Sequence, residues 1–251
     1  MARTLSLVII TKNAAGVLRK TLESIDGLVN EIIVIDDYST DATRTIAKSY
    51  GARIFTRRGV DIGMQREYGI LRATGEYILL LDADEVVSPR LAQEIKMILA
   101  SKHTIAQSYK TPFINHLWGK PLRHGGETYT KICIFKRGSA HISSAFAHQQ
   151  VITDTKQMGE LHHPILHYSY TSLVHIFRKF TDYALRMAVQ KKQQGERSSL
   201  QKIIRYPIHM FWARFVRDKG YQDGVIRIPL DIAFAYMELM MYIYLFIIQR
   251  S

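Results

Sequence analysis

A single cysteine, Cys133, excludes an internal disulfide and gives no support for an oxidising compartment. It lies in the alternating run Lys131-Ile-Cys-Ile-Phe-Lys136, the setting of a buried, inert strand thiol rather than a nucleophile. No Gly-x-Gly-x-x-Gly follows a strand, so a dinucleotide site of the usual kind is poorly supported. Internal repeats and low-complexity tracts are absent, which argues against a solenoid or a disordered array. Long apolar runs are also missing. Residues 5–10 are too short for a signal core and pass directly into Thr11-Lys12-Asn13, so the expected location is the cytoplasm or the cytoplasmic face of a membrane. Residues 230–248 are apolar but interrupted by Asp231 and Glu238. An acidic residue near a helix centre costs roughly 2.5–3.5 kcal/mol on insertion. The charge-free stretch 239–248 is shorter than the about 20 residues a bilayer requires. This segment reads as an interfacial or subunit-packing helix, which leaves a homo-oligomer open.

What the chain does have in excess is positive charge, +12 by formal count, pointing to anionic partners such as nucleotide phosphates, nucleic acid or acidic lipid headgroups. Nucleic acid comes last among these, since no recognition motif accompanies the charge. With 47% hydrophobic residues, the 251-residue chain has the means for one substantial α/β domain plus an appendage.

The first hundred residues alternate strand and helix. Strands are expected at 6–10, 31–35, 52–55 and 77–81, and helices at 14–25, 42–50, 64–73 and 89–99. Repeated βα units with apolar strands imply a mostly parallel sheet covered by helices on both faces. Strands at 107–111 and 131–135 belong to a different layer, and residues 117–127, rich in Gly and polar groups, suit a mobile substrate loop. From about residue 171 the chain is helical, basic and aromatic.

In open α/β sheets, ligands bind beyond the carboxyl ends of the strands. Three strands here end in polar groups at that edge: Thr11-Lys12-Asn13, Asp36-Asp37-Tyr38-Ser39 and Asp82-Ala83-Asp84. The last follows a buried strand, where carboxylates are costly to desolvate unless a cation answers them. A hard divalent ion bridging to phosphate is one such cation; a simple turn and helix cap before Ser88-Pro89 is the plainer alternative.

The segments Ser6-Leu-Val-Ile-Ile-Thr-Lys-Asn13, Val34-Ile-Asp-Asp-Tyr-Ser-Thr-Asp41, Arg66 through Ala73-Thr-Gly-Glu-Tyr77 and Leu80-Leu-Asp-Ala-Asp-Glu85 together resemble glycosyltransferase family two, the inverting GT-A enzymes that use nucleotide-diphosphate sugars. More loosely, Asp82-Ala-Asp-Glu85 and His167-Tyr-Ser-Tyr170 look like the lipopolysaccharide inner-core branch, notably glucosyltransferases. The resemblance implies a GT-A catalytic domain over residues 1–170, with a nucleotide-sugar half at 1–100 and an acceptor half at 101–170, followed by a helical extension at 171–251. It implies a donor such as UDP-glucose, a lipid-linked or lipopolysaccharide-core acceptor, and Mg²⁺ or Mn²⁺ held by Asp84. Thr11, Asn13, Asp37, Arg66 and Asp82 fall on the nucleotide-sugar side, with Asp37 matching the contact to base and ribose. A polyprenyl-phosphate acceptor, or a non-catalytic glycan- or membrane-binding protein of the same fold, are the alternatives.

The resemblance departs at the general base, where related enzymes carry a His-Glu or Glu-Asp pair. Here the stretch is Ala147-His148-Gln149-Gln150, and glutamine cannot take a proton from an acceptor hydroxyl. Either His148 or Glu127 takes the role, or the proton leaves by another route. The group His162, His163 and His167 lacks a fourth ligand for zinc. Residues 203–219 mix Arg205, Arg214, Arg217 and Lys219 with four aromatics, as an interfacial helix on an anionic leaflet does. Packing of those aromatics onto the catalytic domain is the alternative.

Overall fold

The computed structural model describes residues 3–58, 61–101, 103, 106–143, 150–153 and 156–249. The chain divides into two compact units. The first comprises Met1–Phe113, Tyr129–Ala145 and Gln149–His167; the second comprises Ile114–Thr128, Phe146–His148 and Tyr168–Ser251. The helical extension therefore shares its unit with residues 114–128, and the expected acceptor half, 101–170, is divided.

In the first unit, β1 (Leu5–Thr11), β2 (Glu31–Asp36), β3 (Arg53–Thr56) and β4 (Tyr77–Asp82) are linked by α1 (Ala15–Ser24), α2 (Thr43–Ser49) and α3 (Ile62–Ile70). They run parallel in the order β3-β2-β1-β4. Period-two alternation assigns each strand residue to one of two cores. Leu5, Leu7, Ile9, Val34, Tyr77, Leu79 and Leu81 face Leu18 and Leu22 of α1 and Leu91, Ile95 and Leu99 of α4 (Pro89–Ala100). Val8, Ile33, Ile35, Ile78 and Leu80 face the other way, toward Ile70 and Ala73. Near-continuous apolar strands are thus the signature of a sheet buried on both faces, as expected.

Gly69 sets the height of α3 over the sheet, because a Cβ there would lie 2.5 Å from Val8 Cγ1. The helix begins two residues earlier than its apolar spacing suggests, since the Asp61 side chain accepts from Gly63 N at 2.6 Å and caps it.

After β4 comes a strand that periodicity did not reveal, β5 (Glu85–Val87), three residues long. Its ladder pairs antiparallel with β12 (Ile165–Tyr170), bringing His167 opposite Glu85. The remaining strands are β6 (Ser108–Leu117), β7 (Lys120–Pro121), β8 (Thr128–Lys136), β9 (Ala140–Ile142), β10 (Val151–Thr153) and β11 (Met158–Glu160). The sheet continues from β4 through β8, β6 and β12 to β5, with β8 antiparallel to β4.

The second unit is built on α5 (Leu173–Gln193), α6 (Leu200–Trp212) and α7 (Arg227–Ile248). Ile176 and Phe180 pack with Leu230 and Ala233; farther along, Ala184 and Ala188 pack with Met241, Tyr242 and Leu245. By length and composition alone, α7 is long and apolar enough to cross a membrane. Two of its buried charges answer each other: Arg227 Nε lies 2.9 Å from Asp231 Oδ1 one turn along the same helix. Residues 117–127, expected as a mobile loop, are fastened instead. Leu122 N donates to Asn115 O, Arg123 N and His124 N donate to Asp223, and Arg227 donates to the carbonyls of His124 and Gly125.

Candidate active site

The parallel register brings the three polar strand ends to one edge of the first unit. Thr11 is opposite Asp36 across β1 and β2, and Ile10 is opposite Asp82 across β1 and β4. Asp36 is fully buried and organises this edge: Thr11 Oγ1 donates to Oδ1 at 3.0 Å, Ser39 Oγ to Oδ1 at 2.5 Å and Ser39 N to Oδ2 at 2.9 Å. Asp37, next in the chain, is left at the rim, where Lys12 Nζ meets its Oδ2 at 2.8 Å. Asn13 and Tyr38 both have positive φ, +48° and +51°, a conformation in which side chains other than those of Asn, Asp and Gly are uncommon. Asn13 Oδ1 accepts from Thr40 N at 2.8 Å, tying the loop after β1 to the loop after β2. Thr11 and Asn13 thus shape the edge, and Asp37 and the exposed Tyr38 ring front it.

The second cluster surrounds the Asp82-Ala83-Asp84 turn. Thr21 Oγ1 of α1 donates to Ala83 O at 2.7 Å, and Asp82 N donates to Glu85 Oε2 at 2.9 Å, so the turn is held from both sides. Arg66, far from being a solvated helix-face residue, reaches Asp82 Oδ1 at 2.6 Å. Lys131 of β8 lies 2.5 Å from Glu85 Oε1 and over the Phe113 ring, 4.2 Å from its centroid. His167 Nε2 lies 3.4 Å from Asp84 Oδ2, and His167 Nδ1 lies 3.4 Å from the Tyr129 hydroxyl.

Burial raises the Asp82 carboxyl, but the charges of Arg66 and Lys131 more than offset it and hold the group well below the usual carboxylate range. Glu85 goes the other way, raised chiefly by burial and further by Asp82, with Lys131 opposing. Burial would lower Lys131, yet Glu85 and Asp82 keep its ammonium charged. The cluster thus joins an ionised Asp82 to a cation on either side. Burial pushes the Cys133 thiol up to about 12, as an inert strand thiol requires.

Glu127, one of the two expected candidates for the base, lies away from both clusters in its pairing. Its carboxylate is buried in the second unit, where it pairs with Arg214 and, at 3.3 Å, with Arg227. It also accepts from Asn115 Nδ2 at 2.6 Å and from the Tyr170 hydroxyl at 3.2 Å. A carboxylate so enclosed by two guanidinium groups, an amide and a hydroxyl is a packing hub of this unit. His148, the other expected base, and Gln149 lie outside the described residues. The histidines considered for zinc are divided: His162 and His163 both meet Glu94, at 2.9 and 3.1 Å, whereas His167 joins Asp84.

Among the described residues no three His, Cys, Asp or Glu side chains gather into a group that could hold a metal ion. Asp84 is the carboxylate at this turn that would hold an ion, with His167 Nε2 3.4 Å from its Oδ2, while Asp82 is engaged by Arg66. A single carboxylate fits Mg²⁺ or Mn²⁺, which are held by one or two carboxylates and complete their shells with phosphate and water. Lys131 and Glu85 were missed as site residues because Lys131 sits within an alternating strand and Glu85 begins a short one. Only the tertiary structure shows that Lys131 meets Glu85, whose other carboxylate oxygen accepts from Asp82 N.

The family model for Glycosyl transferase family 2 matches residues 6–147, which contain both clusters apart from His167. An uncharacterized glycosyltransferase of Rickettsia bellii is 26% identical, over 86% of this chain and 76% of its own. One of Rickettsia felis is 28% identical, over 84% and 78%. The uncharacterized glycosyltransferase YibD of Escherichia coli is 32% identical over 51% of this chain and 38% of its own. Among solved structures, Staphylococcus aureus TarS 1–349 in complex with UDP is 12% identical with a TM-score of 0.48, covering 99% of this chain and 90% of that one. Glucosyl-3-phosphoglycerate synthase of Mycobacterium tuberculosis, in complex with Mn²⁺, UDP and glucosyl-3-phosphoglycerate, is 16% identical with a TM-score of 0.48, covering 78% and 82%.

Proposed function

This chain belongs to glycosyl transferase family 2, and we propose that it moves a hexose, glucose from UDP-glucose, with inversion onto a lipid-linked or lipopolysaccharide-core acceptor. The observation that carries the nucleotide-sugar reading is the common edge of β1, β2 and β4. There Asp37 and Tyr38 front one end and the cluster of Arg66, Asp82, Asp84 and Lys131 the other.

In this reading the Asp37 carboxylate accepts hydrogen bonds from the uracil and ribose. Asp82, kept ionised by Arg66 and Lys131, orients the sugar-diphosphate end. Asp84 would hold Mg²⁺ or Mn²⁺, with His167 beside it; the ion supplies charge neutralisation for the departing diphosphate. The acceptor oxygen attacks the anomeric carbon from the face opposite the diphosphate, its bond to carbon forming as the bond to the diphosphate oxygen breaks. The hydroxyl proton passes to a base, for which His148 is the remaining candidate once Glu127 is committed to two guanidinium groups.

The test is turnover of a panel of UDP-, GDP- and dTDP-sugars with Mn²⁺ or Mg²⁺ against EDTA, with Asp84→Ala as control. Metal-dependent consumption of UDP-glucose, lost in the variant, is the expected result. Donor binding indifferent to the metal and to Asp84→Ala would overturn the reading. Lipid extracts separated by acceptor type distinguish a lipopolysaccharide-core product from a polyprenyl-phosphate one.

A further inference from the structure

In the second unit, α6 has no fully buried residue, although its sequence is strongly apolar on two sides. The inner side is accounted for: Ile203 packs against the cluster around Met241 and Leu245, and the Tyr206 ring lies 4.7 Å from that of Tyr242. The outer side is not. Leu200, Ile204 and Ile208 follow one another at four-residue steps and are 69%, 63% and 66% exposed. Trp212 and Val216 continue the same spacing at 48% and 46%. Residues four apart stand above one another on a helix, so these side chains make one continuous apolar stripe. Single exposed apolar residues are ordinary, but a contiguous stripe of this kind marks an interaction surface.

The charges around the stripe identify the partner. Between Glu196 and Asp218 there is no acidic residue, while Arg197, Lys202, Arg205, His209, Arg214 and Arg217 all fall in that interval. Two of these basic groups are spoken for, Arg214 by Glu127 and Asp231, and Lys202 by Glu196. Arg197, Arg205 and His209 remain on the exposed surface with the stripe. Exposed Arg217 and Lys219 follow it, although Arg217 also meets Asp218 at 2.8 Å.

We propose that this face, from Leu200 through Val216 along α6 and the π-helical turn Ala213–Arg217 that continues it, docks on an anionic lipid bilayer. Its apolar stripe enters the headgroup–acyl boundary, and its arginines meet the phosphates. An apolar helix face with a basic border and a tryptophan is the composition that lies in the plane of such a surface. A second copy of the chain is the poorer occupant. Across a two-fold interface it would set the same basic border against itself, with no acidic residue in the segment to answer it. The inference does not depend on the transferase reading: lipid binding and donor turnover are read separately.

The experiment is co-sedimentation of the full chain with vesicles of phosphatidylcholine alone and of phosphatidylcholine mixed with phosphatidylglycerol. The protein is expected to pellet with the anionic vesicles and to be released as salt rises. The triple variant Leu200→Ser, Ile204→Ser, Ile208→Ser removes only exposed side chains and should keep the wild-type thermal transition while losing about tenfold or more in partitioning. Arg205→Gln with Arg217→Gln should weaken binding to anionic vesicles only. In a Trp118→Phe background, Trp212 emission should shift to the blue on anionic vesicles. Wild-type protein left in the supernatant with both vesicle types would overturn the proposal, as would a triple variant that pellets like wild type. So would a dimer in light scattering that the triple variant abolishes without any vesicle binding by the wild type.

Discussion

Lys131 Nζ lies 2.5 Å from Glu85 Oε1, joining β8 to the start of β5 beside Asp82. Neither residue's local pattern announces this pair, yet it supplies one of the two cations that keep Asp82 ionised. Lys131→Met leaves Glu85 buried without its partner. Because the lysine is itself about a third exposed, we expect a stability loss of roughly 2 kcal/mol in urea melts. That is below the about 3–5 kcal/mol for breaking a fully buried pair. Donor turnover should fall more steeply than stability, since the charge balance at Asp82 fails as well.

Arg66 is the other cation at Asp82. Arg66→Ala is expected to weaken UDP binding about tenfold by titration calorimetry, while Arg66→Lys, which keeps charge but not the planar fork, recovers part of it. Equal affinities for wild type and Arg66→Ala would make this pair purely structural.

His167 beside Asp84 makes a metal-titration prediction. Whether the imidazole binds the ion or orients the carboxylate, His167→Ala should raise the Mn²⁺ concentration for half-maximal turnover by about 10–100-fold. Saturating Mn²⁺ should restore much of the rate.

Arg227 is fully buried and serves Asp231, Glu127 and the carbonyls of His124 and Gly125. Arg227→Met leaves the buried carboxylates of Glu127 and Asp231 to share Arg214, so a loss of about 3 kcal/mol in chemical denaturation is expected. Gly125 has φ +65°, and a Cβ there would lie 2.2 Å from Arg227 Nη2. Gly125→Ala should therefore destabilise the same unit through both strain and displacement of the guanidinium.

Glu94 gives a pH dependence. Burial raises its carboxyl, but hydrogen bonds from the His162 and His163 rings and backbones outweigh it and leave the group below its ordinary value of 4.5. A depressed carboxyl binds fewer protons folded than unfolded, so its contribution is present above about pH 4.5 and is lost as pH falls further. Glu94→Gln should lower stability in the neutral region and flatten the acid limb of the stability curve, with variant and wild type converging at low pH.

The sequence by itself determined the first hundred residues. Uninterrupted apolar strands, helical spacing and short connections admit little besides a parallel sheet covered on both faces, and polar strand ends must then converge at its carboxyl edge. The position of Thr11, Asp37, Asp82 and Asp84 at that edge was legible for that reason, because each lies at or just past the end of the strand that carries it. What the tertiary structure decided depends on residues far apart in the chain. The partner of Arg66 is decided by the packing of α3, which Gly69 lets settle onto Val8, beside the end of β4 that carries Asp82. Lys131 and His167 read as strand and aromatic-cluster residues until β8 and β12 bring them beside the Asp82-Ala83-Asp84 turn and Glu85. Glu127 reads as a free loop carboxylate until Arg214 and Arg227, about ninety and one hundred residues away, close on it. Local pattern records which face a residue presents, whereas the partner of a buried charge is fixed by long-range pairing that no local period encodes.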